Sequence, residues 1–213
     1  MKPTTHSHAP IRTLDDLQPL LAGPAQFAIL AVLSVLLAAT RFKAVGTLLH
    51  LPDASMAVFF LGGLYLQRHR LFAGLLAAAV AIDYLAITGR GLDFFQHYCV
   101  TPSYWFLLLA YAVLWYLGRA WAPSMAARPR AFAGALAVAL VAATASFLIS
   151  NGAFYWFGGR YPDPNFAEYV QRVLRWGPVF VGTTMAYIGA ALLAHALLAR
   201  FAGARGAAPR AQD

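Results

Sequence analysis

Residues 131–149 read AFAGALAVALVAATASFLI, nineteen residues without one charge. A helix of that length covers about 28 Å, close to the hydrocarbon thickness of a bilayer. Comparable blocks occupy Leu71–Ile87, Tyr104–Leu117 and Val179–Leu198. Strands of a membrane barrel are shorter and alternate apolar with polar residues. These blocks do not alternate, so they predict helices. The composition agrees: the 213 residues are 61% hydrophobic and 11% charged, against about 25% charged in soluble domains. The expected fold class is an all-α membrane protein with one membrane domain.

Six segments follow from the hydropathy pattern: 25–40, 54–67, 71–88, 103–121, 130–150 and 176–200. The second is short for a span and could be re-entrant; Pro52-Asp53 is a plausible helix start there. With the N-terminus inside, the cytoplasmic basic residues are Lys2, Arg12, Arg68, Arg70, Arg119, Arg128, Arg130, Arg200, Arg205 and Arg210. The outer set is Arg41, Lys43, Arg90, Arg160, Arg172 and Arg175. Ten against six favours six transmembrane helices in an N-in/C-in arrangement. The domain division is then an interfacial N-terminal segment at 1–24, a six-helix domain at 25–200 and a disordered cytoplasmic tail at 201–213. Residues 1–24 lack the apolar centre of a signal peptide, and no cleavable leader is expected. Within them Thr13 begins a short amphipathic stripe of Leu14, Leu17, Leu20 and Leu21, expected at the cytoplasmic interface.

The net charge of +8 sits in short loops beside the membrane segments. It forms no stripe of the kind that binds nucleic acid. Lys2 and Lys43 are the only lysines and neither precedes Ser or Thr, so the chain carries no P-loop and no ATP site. Small residues recur every fourth position at Ala131, Ala135, Ala139 and Ala143, at Gly182, Ala186, Ala190 and Ala194, and at Ala73, Ala77 and Ala81. Such stripes suit internal helix packing or a partner subunit.

Asp83 is the only acid inside an expected helix. A carboxylate at that depth faces a cavity or a partner: either a ligand, or a structural pair with Arg41 or Arg90. His195 is expected near the cytoplasmic end without a metal role. The third outer connection, Asn151 to Arg175, contains Phe154-Tyr155-Trp156-Phe157 followed by Gly158-Gly159-Arg160. It reads as an aromatic lid over a large ligand or as an interfacial belt. A short amphipathic helix carrying Phe166, Val170, Val173 and Leu174 is expected before Trp176.

The middle outer loop reads Asp93-Phe94-Phe95-Gln96-His97-Tyr98-Cys99-Val100-Thr101-Pro102-Ser103-Tyr104-Trp105, and Cys99 is the sole cysteine. Pro102 can open the next helix, whose dipole, with His97 if charged, favours a thiolate at Cys99. A thiolate is a nucleophile and a soft metal ligand. One cysteine does not build a zinc site. Four readings stand: an inert interfacial thiol, a Cys–His hydrolase, a membrane haem or thiol-redox enzyme using Cys99 and His97, and an axial ligand to a metal already held by a macrocycle such as haem or cobalamin.

Two stretches carry a resemblance: Leu51-Pro52-Asp53-Ala54-Ser55-Met56-Ala57-Val58-Phe59-Phe60-Leu61-Gly62-Gly63, and Tyr98-Cys99-Val100-Thr101-Pro102-Ser103-Tyr104-Trp105-Phe106-Leu107-Leu108. Both resemble BtuM-type cobalamin transporters of Gram-negative bacteria, which are substrate-binding S-components of energy-coupling factor (ECF) transporters. The resemblance runs from the first helix through the sixth. It implies an S-component-like bundle in the bacterial inner membrane that binds and imports vitamin B12, its binding face towards the periplasm. Cys99 falls on the family cysteine that ligates the corrin cobalt. Removal of a cyanide upper ligand through Cys99 is a further expectation. The partner implied is an ECF module of two ATPases and a coupling membrane subunit. The small-residue contact motif expected on the first helix is imperfect, with Ser34 and Ala38 in its place. An S-component for a different vitamin is the alternative within that class. The candidate cobalamin contacts are Asp83, His97, Tyr98, Thr101, Tyr104, Asn151, Tyr155, Trp156 and Arg160.

Overall fold

The computed structural model describes residues 23–41, 52–97, 100–125 and 129–206, with side chains to residue 200. The described residues are helical and contain no strand: α1 (Gly23–Arg41), α2 (Ser55–Tyr65), α3 (His69–Thr88), α4 (Ser103–Trp121), α5 (Pro129–Phe157) and α6 (Phe166–Gly206). A 3-10 turn at Ala122–Ser124 follows α4. Five of the six helices are long and apolar enough to cross a membrane. The exception is α2, whose eleven residues rise only about 16 Å. Six transmembrane helices were expected, the second of them short; the described residues have five long ones and this short central helix. The interfacial stripe expected within residues 1–24 lies outside the described residues.

Sequence explains why α2 is central. Its run Ala57-Val58-Phe59-Phe60-Leu61-Gly62-Gly63-Leu64 has no polar residue to satisfy, so other helices can enclose it on every side, and its small residues let them come close. Ten of its eleven residues are buried. It crosses α4 at glycines: a methyl on Gly63 would strike the Trp115 carbonyl, and one on Gly118 would strike the Phe60 carbonyl. Close backbone approach through small residues is how membrane helices gain contact without a hydrophobic drive. Trp115, fully buried, lies against Gly62, and Phe59 stacks on Tyr111 at 4.2 Å. The turn after α2 passes through Gln67 at φ 60°, a left-handed position for a residue other than glycine.

Successive helices alternate in direction, so the start of α1 and the end of α6 lie at the same end of the bundle. That end holds Tyr65 bonded to His195 at 2.9 Å, Phe132 edge-on to His195, and the His69–Tyr116 and His69–Arg119 contacts. The opposite end holds Arg41, Asp53, Asp83 and Tyr104.

Two boundaries depart from expectation at that opposite end. The fifth segment was expected to stop at 150; α5 continues to Phe157. Asn151 and Gly152 are weak helix formers, but each costs only about 1 kcal/mol or less, and packing outweighs it. Gly152 faces the Tyr169 hydroxyl, and Ala153 and Tyr155 are buried. The helix ends where glycine permits it: the Gly158 N–H bonds the Phe154 carbonyl at 3.1 Å and Gly159 takes φ 69°. The separate amphipathic helix expected before Trp176 is instead the first turns of α6. That helix starts at a capping site, the Glu168 N–H donating to Asn165 Oδ1 at 2.9 Å, and runs through Pro178 without a break. Membrane helices tolerate internal proline because neighbours re-satisfy the freed carbonyl. Its forty-one residues rise about 60 Å, so α6 overshoots the hydrocarbon. It continues to Gly206, into the expected tail, and residues 207–213 lie outside the described chain.

The small-residue stripes divide. Ala135, Ala139 and Ala143 of α5 are buried and serve internal packing. Gly182, Ala186, Ala190 and Ala194 of α6, and Ala73, Ala77 and Ala81 of α3, are exposed on the outside of the bundle.

Candidate functional site

Where α2 begins, its first N–H groups need acceptors. Two neighbours supply them. Thr40 Oγ1, on the last turn of α1, accepts from the Ala54 N–H at 3.1 Å, and Asp53 Oδ1 accepts from the Ser55 N–H at 2.9 Å. The Ser55 hydroxyl also donates to Asp53 Oδ1, at 2.6 Å. The reading of Pro52-Asp53 as a helix start is matched by this geometry.

Arg41 reaches into the same place from the end of α1. Its Nε and Nη2 grip Asp83 in a bidentate pair at 2.7 and 2.6 Å, the geometry that gives guanidinium–carboxylate pairs their strength. Its Nη1 donates to Ser55 Oγ at 3.0 Å and to the Tyr111 hydroxyl at 2.7 Å. Tyr104 donates to Asp83 Oδ2 at 2.7 Å. Four helices are thus joined through one guanidinium and one carboxylate. Of the partners left open for Asp83, Arg41 is the one it takes. The carboxylate remains partly accessible, with 21% of its side chain exposed against 9% for Arg41.

Above this cluster is a cavity of about 410 Å³. Its polar lining includes Arg41, Asp53, Asp83, Arg90, His97, Ser103, Tyr104, Tyr111 and Ser150, and its apolar lining includes Ile87, Leu92, Val100, Leu107 and Phe154. A second chamber of about 350 Å³ shares Asp53, Leu107, Tyr111, Ser150 and Phe154 with the first. It extends towards α6, where Asn151, Arg172, Trp176 and Phe180 complete its wall. Polar groups converging on a partly apolar hollow are the common form of a small-molecule site.

The expected site residues distribute as follows. Asp83, His97 and Tyr104 line the first chamber, and Asn151 lines the second. Tyr98 and Cys99 lie outside the described residues, but the residues on either side, His97 and Val100, both line the cavity. Thr101 turns to Ser103, their hydroxyls 2.6 Å apart. Arg160 is exposed and lines neither chamber.

The aromatic lid requires correction. Because α5 is helical through Phe157, successive aromatics point about 100° apart and do not share a face. Phe154 lines both chambers. Tyr155 is 1% exposed and turned away, its hydroxyl accepting the Asn165 N–H at 2.9 Å and donating to Glu168 at 3.1 Å. Trp156 packs edge-on against Tyr155 and lines neither chamber. Neither Tyr155 nor Trp156 offers a ring to a ligand in these cavities.

The reading by sequence missed Asp53, Ser55, Tyr111 and Arg172 as site residues. Tyr111 had a signal available: it stands seven residues after Tyr104, two helical turns along the same face. The others owe their place to tertiary contacts. Among the described residues no three His, Cys, Asp or Glu side chains gather to hold a free metal ion. No protein-family model and no curated protein matches this sequence.

Proposed function

We propose that this chain is a membrane-embedded binding and import protein for cobalamin, with its cavity facing the periplasm and the start of α1 and the end of α6 at the opposite, cytoplasmic end. One observation carries the reading most directly. His97 and Val100 line the cavity, and the two residues joining them, Tyr98 and Cys99, belong to the stretch that resembles the BtuM-type transporters. The other such stretch contains Asp53, which lines the cavity, and Ser55, bonded to it. Both resembling stretches therefore meet the same hollow.

In this reading the Cys99 thiolate donates to an axial site of the corrin cobalt in place of the vitamin's own base. Thiolate donation weakens the bond on the opposite face. A cyanide there leaves as cyanide ion with its bonding pair, and the cobalt keeps its oxidation state. Each chamber is within the size that takes a compact organic group, roughly 300–1,000 Å³; a whole corrinoid needs more than one of them. The resemblance implies an ECF module of two ATPases and a coupling subunit as partner, with any ATP hydrolysis in those chains, since this sequence has no P-loop.

Purified protein titrated with cobalamin tests this. A visible spectrum shifted from free vitamin, and lost in Cys99→Ala, is the expected result. Unchanged spectrum and affinity in the variant would remove the axial ligation, and a Soret band in place of corrin absorption would turn the reading to haem.

A further inference from the structure

The second chamber contains a guanidinium whose charge no carboxylate among the described residues meets. Arg172, on the overshooting first part of α6, donates from Nε to Asn151 Oδ1 at 3.0 Å and from Nη1 to the Tyr161 hydroxyl at 2.6 Å. Both acceptors are neutral. Its plane is flanked by the Phe154 and Tyr161 rings, 5.6 and 5.5 Å from the guanidinium carbon. These contacts fix the side chain and leave both N–H groups of Nη2 with no acceptor among the described residues. The nearby acids form no ion pair with Arg172. Asp53 lines the chamber but turns Oδ1 to Ser55. Glu168, one turn before Arg172, accepts from the Tyr155 hydroxyl. Between described residues the one guanidinium–carboxylate pair is Arg41–Asp83.

We propose that Arg172 forms an anion subsite for a phosphodiester. The inference rests on the cobalamin reading, in which the phosphodiester of the vitamin's nucleotide tail occupies this chamber beside the corrin. A guanidinium offers two parallel donors to two phosphate oxygens, and the positions free on Nη2 and Nη1 supply them. The chamber's 350 Å³ suits a tail and not a ring. A phospholipid headgroup carries the same phosphodiester, so the test must separate the two sources.

The experiment uses the full chain in lipid-free maltoside micelles and in phosphatidylcholine nanodiscs. Cobalamin is compared with cobinamide, the corrin lacking nucleotide and phosphate. Arg172→Gln should weaken cobalamin binding about tenfold or more, the worth of a charge-assisted hydrogen bond. Cobinamide binding, which also reports correct folding, should stay within about twofold, and Arg172→Lys should restore part of the loss. Equal weakening of both ligands, or of neither, overturns the subsite. Loss of the Arg172 effect in nanodiscs alone assigns the site to headgroups and overturns the substrate assignment. If the parent binds neither corrinoid, the cobalamin reading fails by itself. Phosphorus NMR of dimethyl phosphate in micelles then decides the subsite: saturable broadening abolished by Arg172→Gln supports it, and its absence in the parent overturns it.

Discussion

Removing the charge of Asp83 tests whether the Arg41–Asp83 pair organises the site. Asp83 accepts two bonds from Arg41 and one from Tyr104. Asp83→Asn keeps the shape and one carbonyl oxygen, but leaves Arg41, 9% exposed, without its directly bonded carboxylate. Breaking one side of a buried ion pair costs about 3–5 kcal/mol. Ser55 and Tyr111 still accept from Arg41, which places the expected cost at the lower end, about 3 kcal/mol. Arg41→Met leaves a carboxylate with Tyr104 as donor and 21% exposure to the cavity. Water can solvate it in part, and the expected cost is about 2–3 kcal/mol. The double variant Arg41→Met/Asp83→Leu removes both charges together. Replacing a buried pair by apolar groups is often near neutral, so the double variant should be more stable than either single one. The assay is reversible unfolding of the purified protein in mixed micelles, read as a double-mutant cycle. Single variants each costing under about 1 kcal/mol, or a double variant as destabilised as the sum of the singles, would refute the reasoning.

Gly118→Ala puts a methyl against the Phe60 carbonyl, and the overpacked α2–α4 crossing should lose about 1–3 kcal/mol in the same assay; Gly74→Ala, where nothing lies within 4 Å, should be neutral or stabilising by up to about 1 kcal/mol. Tyr155→Phe removes the acceptor of the Asn165 N–H and should raise amide exchange across residues 158–165. Its effect on ligand affinity should stay within about twofold, because Tyr155 lines neither chamber; a larger loss would restore the lid.

Much of the helix pattern was legible because hydrocarbon imposes a length and an apolar character that a chain displays openly. The ends of α5 and α6 were not. Asn151 and Gly152 look like a break by local propensity, yet Gly152 is small enough to face Tyr169, and α6 begins ten residues before the expected 176. A stop at 150 would leave four aromatics in a loop as a lid, whereas the helix through Phe157 spreads them around its circumference. Asp83 was legible because an acid in hydrocarbon demands an explanation, and Arg41 was already a named partner. Arg172 was counted only as a loop charge. Its role depends on α6 rising beyond the membrane beside α5, which no local pattern in 151–175 announces.

The cavity itself follows from the shortness of α2. Its neighbours continue past its first residue: α4 extends eight residues beyond Tyr111 to Ser103, and α5 and α6 extend to Phe157 and Phe166. A central helix that stops early leaves a hollow above its N-terminus, and the donors exposed there have to be met in a low-dielectric setting. Thr40 and Asp53 meet them, Ser55 links Asp53 to Arg41, and Arg41 brings in Asp83. The polar floor is therefore first the cap of a truncated helix. Because the same groups face an open chamber with Arg90, His97 and Tyr104, the structure that completes the fold also supplies the chemistry available to a ligand.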